Sequence, residues 1–129
     1  MVIDTSALMA VLLDEADAET YRVAIEDDPV RLIAAGTLLE ASLAIEGRKG
    51  EAGGRELDLL VHKAELTVVP TGAEHVAEAR KAYRRFGKGR HPAALNYGDL
   101  FAYALACVSG EALLFKGDDF ARTDVRRVL

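Results

Sequence analysis

The hydrophobic positions of this chain fall into two kinds of run. Short, nearly continuous apolar stretches at Met1 to Ile3, Val30 to Ala34, Leu66 to Val69 and Ala112 to Phe115 have the length of buried strands. Between them, apolar residues recur at helical spacing. Leu8, Val11 and Leu12 mark a first helix, entered through Asp4-Thr5-Ser6 as a cap. A second spans Asp14 to Glu26, with Tyr21, Ala24 and Ile25 inward, and Asp27-Asp28-Pro29 ends it. Thr37 opens a third, striped by Leu38, Ala41 and Ile45. Gly47 to Gly54 predicts a turn-rich break, and Arg55 to Glu65 a further helix through Leu57, Leu60 and Val61. Glu74 to Phe86 is helical through Val76, Ala79 and Tyr83, and Gly87 to Pro92 reads as a loop. Asn96 then caps a helix carrying Leu100, Tyr103, Ala104 and Cys107, which Gly110 ends. After the fourth strand, a loop from Lys116 to Asp124 leads to Val125 to Leu129, a short edge strand. Short apolar strands alternating with helices predict an α/β fold: a central parallel sheet of four to five strands flanked by helices.

The length of 129 residues suits one domain over residues 1–129 with one core. With 50% hydrophobic and 29% charged residues, the chain has a globular balance. Trp is absent, so a largely aliphatic core is expected. The net charge of −5 argues against an evenly basic, indiscriminate nucleic-acid binder, but allows a local basic face. Cys107 is the sole cysteine, expected to be buried on the apolar side of its helix. It rules out an internal disulfide and suits a reduced, cytoplasmic setting. The opening Met-Val-Ile-Asp-Thr-Ser lacks the basic region of a signal peptide, and no apolar run approaches the ~18 residues of a membrane span.

In open parallel sheets, ligands gather beyond the carboxyl ends of the strands. Asp4 directly follows the first strand there. Glu40 lies in the first turn of the helix after the second, and Asp99 in the first turn of the helix feeding the fourth. Asp118 and Asp119 follow the fourth strand. Each acid has an ordinary reading. Asp4 and Asp99 can serve as helix-end carboxylates, Thr37-Leu38-Leu39-Glu40 fits a capping box, and Asp118-Asp119 fits a turn. Convergence of all of them on one edge favours a shared task. Crowded carboxylates repel, and a divalent cation removes the conflict. Oxygen ligands with few His or Cys nearby suit Mg²⁺ or Mn²⁺. His62, His75 and His91 lack a zinc spacing.

Val2-Ile3-Asp4-Thr5-Ser6-Ala7-Leu8, Glu40, Asn96-Tyr97-Gly98-Asp99 and Leu113-Leu114-Phe115-Lys116-Gly117-Asp118-Asp119-Phe120, in this order, resemble the PIN-domain ribonucleases, above all the VapC toxins of toxin–antitoxin pairs. The resemblance spans essentially the whole chain. It implies a Mg²⁺- or Mn²⁺-dependent endoribonuclease, a homodimer, held in check by a cognate VapB-type antitoxin. It carries the family's first three acids onto Asp4, Glu40 and Asp99. The fourth falls on Asp119, with Asp118 as an indirect ligand or substitute, because Gly117 holds one position where the family places an acid. Thr5 or Ser6 would hold Asp4 or meet a phosphate.

The run Arg80, Lys81, Arg84, Arg85, Lys88, Arg90 suits an RNA backbone, with Arg84, Arg85, Lys88 and Arg90 as substrate contacts; a solvated helix face is the plainer reading. Leu8, Met9, Leu12 and Leu13, followed by Tyr21 on the next helix, carry more apolar surface than one face can bury, since the first four span too wide an arc. They are therefore expected to leave apolar surface for an antitoxin, whose cationic group would compete with the metal for Asp4 and Asp99. Three rivals stand beside this reading. A phosphoacceptor receiver domain lacks its acceptor Asp, since Pro70-Thr71-Gly72 follows the third strand. A haloacid-dehalogenase-like phosphatase needs an Asp where Ser6 stands. A PIN scaffold that binds RNA without cutting it is the third.

Overall fold

The computed structural model describes residues 1–129. Its elements run β1 (Val2–Ile3), α1 (Thr5–Leu12), α2 (Ala18–Asp27), β2 (Leu32–Ala34), α3 (Ala35–Lys63), β3 (Thr67–Val69), α4 (Ala73–Phe86), α5 (Tyr97–Ser109) and β4 (Leu113–Leu114), with a 3₁₀ turn at Phe120–Arg122. The four strands form one parallel sheet in the order β3-β2-β1-β4. Successive strand residues point to opposite faces, so each central strand feeds two cores. Ile3, Ile33 and Leu114 pack with α1, α2 and α3. Val2, Ala34 and Leu113 pack with α4 and α5 through Ala82, Phe86, Ala102, Tyr103 and Leu105. Burial on both faces is why β1, β2 and β4 read as unbroken apolar runs, whereas the edge strand β3 is largely exposed. No helix is long and apolar enough to cross a membrane.

Several expectations need correction. The stretch from Gly47 to Gly54 is helical, not a turn-rich break. Two helical segments abut at Gly50, whose φ of 63° and ψ of −159° redirect the chain at a single residue. Gly53 and Gly54 are buried where the segments fold together, so these glycines serve packing rather than a loop. The second helix begins at Ala18, not Asp14. Asp14 has a φ of 50°, and the turn's acids are engaged elsewhere: Asp14 with Arg22 at 2.8 Å, Asp17 with Lys116 at 2.7 Å. The tail does not form a full strand. A single parallel bridge joins Arg127 to Leu113, flanked by hydrogen bonds to Leu113 from either side. Cys107 is exposed rather than buried. Leu8, Leu12 and Tyr21 are buried, and Met9 and Leu13 pack against the same core, because α2 and α3 both close over α1. Met9 and Leu13 stay only partly buried, so the opening helices leave less apolar surface than expected. Exposed apolar side chains occur at Val23 on α2 and at Leu39, Leu43, Val76, Tyr83 and Tyr97 on α3, α4 and α5.

Candidate active site at the carboxyl edge of the sheet

Asp4 stands where β1 turns into α1 and caps that helix. Its Oδ2 accepts hydrogen bonds from the Ser6 amide at 2.9 Å and the Ser6 hydroxyl at 2.6 Å. The Ser6 Oγ in turn accepts the Lys116 amide at 2.9 Å, which ties the end of β4 to the Asp4 carboxylate. The residue is only 4% exposed, and its Oδ1 is buried with no partner at all. Burial raises its pKa above the usual carboxylate range; Ser6 opposes the shift and the Glu40 charge adds to it. Thr5 is buried beside it and points elsewhere, its hydroxyl donating to the Thr37 carbonyl at 3.4 Å.

Asp99 is fixed by a reciprocal cap. The Asn96 side chain accepts from the Asp99 amide at 3.0 Å, and the Asp99 Oδ2 accepts from the Asn96 amide at 2.8 Å. Asp99 is half-buried, and its pKa is pushed up to about 6, chiefly by desolvation, then by the charges of Asp4, Asp119 and Glu40, against the Asn96 hydrogen bond. The four acids therefore share one electrostatic field. No three of them stand close enough to enclose a metal ion.

Glu40 reaches this edge through two glycines that the sequence pattern did not single out. A Cβ on Gly98 would lie 1.5 Å from the Glu40 Oε2, so the Glu40 carboxylate occupies space that any side chain at 98 would take. A Cβ on Gly36 would lie 2.5 Å from the Phe101 ring, so only glycine lets the start of α3 approach α5 this closely. Asp119 opens the 3₁₀ turn and is exposed, as is Asp118; Asp119 is among the charges acting on Asp99. Lys116, which a receiver domain would direct at its acids, pairs with Glu15 and Asp17 on the turn before α2.

The basic run divides. Arg80, Arg84 and Arg90 line a groove of about 570 Å³ between α4 and α5. Arg85 faces away and pairs with Asp124 at 3.0 Å, and Lys81 pairs with Glu78 at 2.8 Å. Lys88 is exposed in the loop after α4.

Such a chain is an α/β domain with a parallel sheet and acidic side chains along the carboxyl edge of its strands, where such sheets place their ligands. The family model for the PIN domain matches residues 1–126. The chain is 58% identical over 128 residues to "Ribonuclease VapC" of Mycolicibacterium smegmatis, covering 99% of each chain. Among solved structures it resembles the Mycobacterium tuberculosis toxin VapC20, described as cleaving the sarcin–ricin loop, with a TM-score of 0.78, 16% identity and coverage of 96% and 95%. It also resembles a chain of the VapBC2 complex of Rickettsia felis bound to promoter DNA, with a TM-score of 0.75, 13% identity and coverage of 98% and 94%. The chain belongs to the PIN-domain family and, within it, to the VapC ribonucleases. That membership removes the receiver and dehalogenase readings.

Proposed function

We propose that the chain is the endoribonuclease toxin of a VapBC-type pair, cutting RNA at the edge that carries Asp4, Glu40, Asp99 and Asp119. The observation that carries the site is the Asp4 Oδ1, a buried carboxylate oxygen with no partner, near Asp99, whose pKa is itself raised by burial and by the neighbouring acids. An unpaired buried carboxylate oxygen costs several kcal/mol by the usual range for such groups, about 1–3 or more. A cation fits that need.

Divalent-metal dependence goes with the family; Mg²⁺, or Mn²⁺ in its place, suits an all-oxygen donor set. Asp4 and Asp99 would hold the ion, with Glu40 and Asp119 completing the set and Asp118 as an indirect partner. When bound, it acidifies a water and neutralises charge growing on the phosphodiester. The rest falls to the chain. Ser6 keeps one Asp4 oxygen engaged and leaves the other without a partner. The Asn96 amide fixes Asp99, which keeps its proton up to about pH 6 and frees its carboxylate above it. Gly98 leaves room for Glu40. Arg84, Arg90 and Lys88 provide positive charge for the RNA strand; Arg85 joins them only if it leaves Asp124.

The partner is a VapB-type antitoxin, which we place in the cytoplasm with its toxin. Incubating the purified chain with total RNA and Mg²⁺, Mn²⁺ or EDTA, and mapping the new ends, tests the reading. Discrete cleavage that EDTA abolishes is expected. Metal-independent cleavage, or none with either metal, would overturn it.

A further inference from the structure

The groove between α4 and α5 has a composition at odds with the chain around it. The protein carries 21 acidic residues, yet none lines this groove. Its rim holds Arg80, Arg84 and Arg90, none of which is paired with a carboxylate. Its walls hold Tyr83, Tyr97 and Phe101. Tyr97 is 80% exposed and makes one perpendicular contact, with Phe101 at a ring-centroid distance of 5.0 Å, so most of its ring surface is open. Arg90 lies 4.9 Å over the Tyr83 ring, so the cationic and aromatic surfaces are already interleaved.

The groove also adjoins the acid edge along the backbone. Tyr97, Gly98 and Asp99 are consecutive in the first turn of α5. Gly98 lies against Glu40, Asp99 belongs to the carboxylate edge, and Tyr97 lines the groove.

We propose that this groove is a subsite for the single-stranded RNA flanking the cleavage point, with a base stacked on Tyr97 and the phosphates beside it held by Arg80, Arg84 and Arg90. The inference rests on the ribonuclease reading. Unpaired guanidinium groups complement a polyanion, and exposed aromatic faces complement bases that are not engaged in a duplex. An apolar protein segment would meet the aromatic floor but leave the three arginines without partners. RNA satisfies both halves of the groove.

The test is binding of a fluorescein-labelled single-stranded RNA to the full chain in EDTA, where no cleavage intervenes, as a function of salt. Tyr97→Ala is expected to weaken binding by roughly ten-fold, the scale of one lost base stack, with the salt slope unchanged. Tyr97→Phe should restore most of it. Arg80→Ala with Arg84→Ala should instead flatten the salt slope, because fewer counterions are released. A wild-type chain that neither binds nor cuts RNA would overturn the ribonuclease reading and this subsite with it. A wild-type chain that binds and cuts, with Tyr97→Ala equal to it in affinity, would overturn the subsite alone. A Tyr97→Ala chain with unchanged RNA affinity but altered self-association, seen by sedimentation, would make the groove a protein interface instead.

Discussion

At the scale of single residues, the account turns on two carboxylates held in opposite ways. Asp4 is fixed by Ser6 and left with one naked oxygen; Asp99 is fixed by Asn96 and charged reluctantly. The folded chain prefers Asp99 protonated, with a pKa of about 6 against an ordinary 3.8. Without metal, ionising Asp99 therefore costs stability that accumulates as pH rises from about 4 to about 6 and persists above. Two results are expected. In EDTA at pH 7.5, Asp99→Asn should melt higher than wild type, since the amide keeps the bond from the Asn96 amide and sheds the charge. Affinity for Mn²⁺, measured calorimetrically, should fall as pH drops below about 6, approaching tenfold per unit where one proton is displaced. A flat affinity between pH 5 and 7 would remove Asp99 from the metal set. Asp119→Asn should cost more activity than Asp118→Asn, because Asp119 is among the charges felt at Asp99. The reverse order would shift the fourth acid by one residue.

At the scale of elements, α5 and the start of α3 set the site by approaching closely. That approach is what Gly36 and Gly98 permit, and it yields a prediction that separates fold from function. Gly98→Ala places a methyl where the Glu40 carboxylate now sits, 1.5 Å from its Oε2. The displaced atoms are the far end of a flexible side chain, and alanine favours a helix by up to about 1 kcal/mol over glycine. Thermal stability should therefore hold or rise, while cleavage falls to the level of Glu40→Gln. Full activity in Gly98→Ala would show that Glu40 need not lie where it does.

The elements also show what the sequence made legible. Buried strands announced themselves because both faces are covered, and the reciprocal Asn96–Asp99 cap follows from residue types three apart. The close approaches at Gly36 and Gly98 did not show, since a glycine that makes room for another element has no local signature. The bend at Gly50 misread as a loop for a related reason: dense glycine signals a turn locally, whereas here tertiary packing buries Gly53 and Gly54. Apolar excess on α1 suggested a partner face because a pattern does not say how many neighbours a helix has; α1 has the sheet, α2 and α3.

At the scale of the whole molecule, charge is segregated. An acidic chain of net −5 gathers carboxylates at the sheet edge and unpaired arginines in the adjoining groove. Bound metal should stabilise the fold by mass action, so saturating Mn²⁺ should raise the melting temperature at pH 7.5 and far less at pH 5. An equal rise at both would place the ion away from Asp99. We propose that the antitoxin acts by setting a cation against Asp4 and Asp99: inhibition should then weaken as Mg²⁺ rises, and inhibition indifferent to Mg²⁺ would exclude that mode.

The central claim is that Asp4 and Asp99 hold the ion that cuts RNA, and single-turnover cleavage of RNA by Asp99→Asn in saturating Mn²⁺ tests it most directly. The account predicts a fall of at least about a hundredfold, the lower scale of a lost charge-stabilising group at a reacting centre, in a chain that remains folded and still binds the same RNA in EDTA. A folded Asp99→Asn chain that cleaves at the wild-type rate would contradict it.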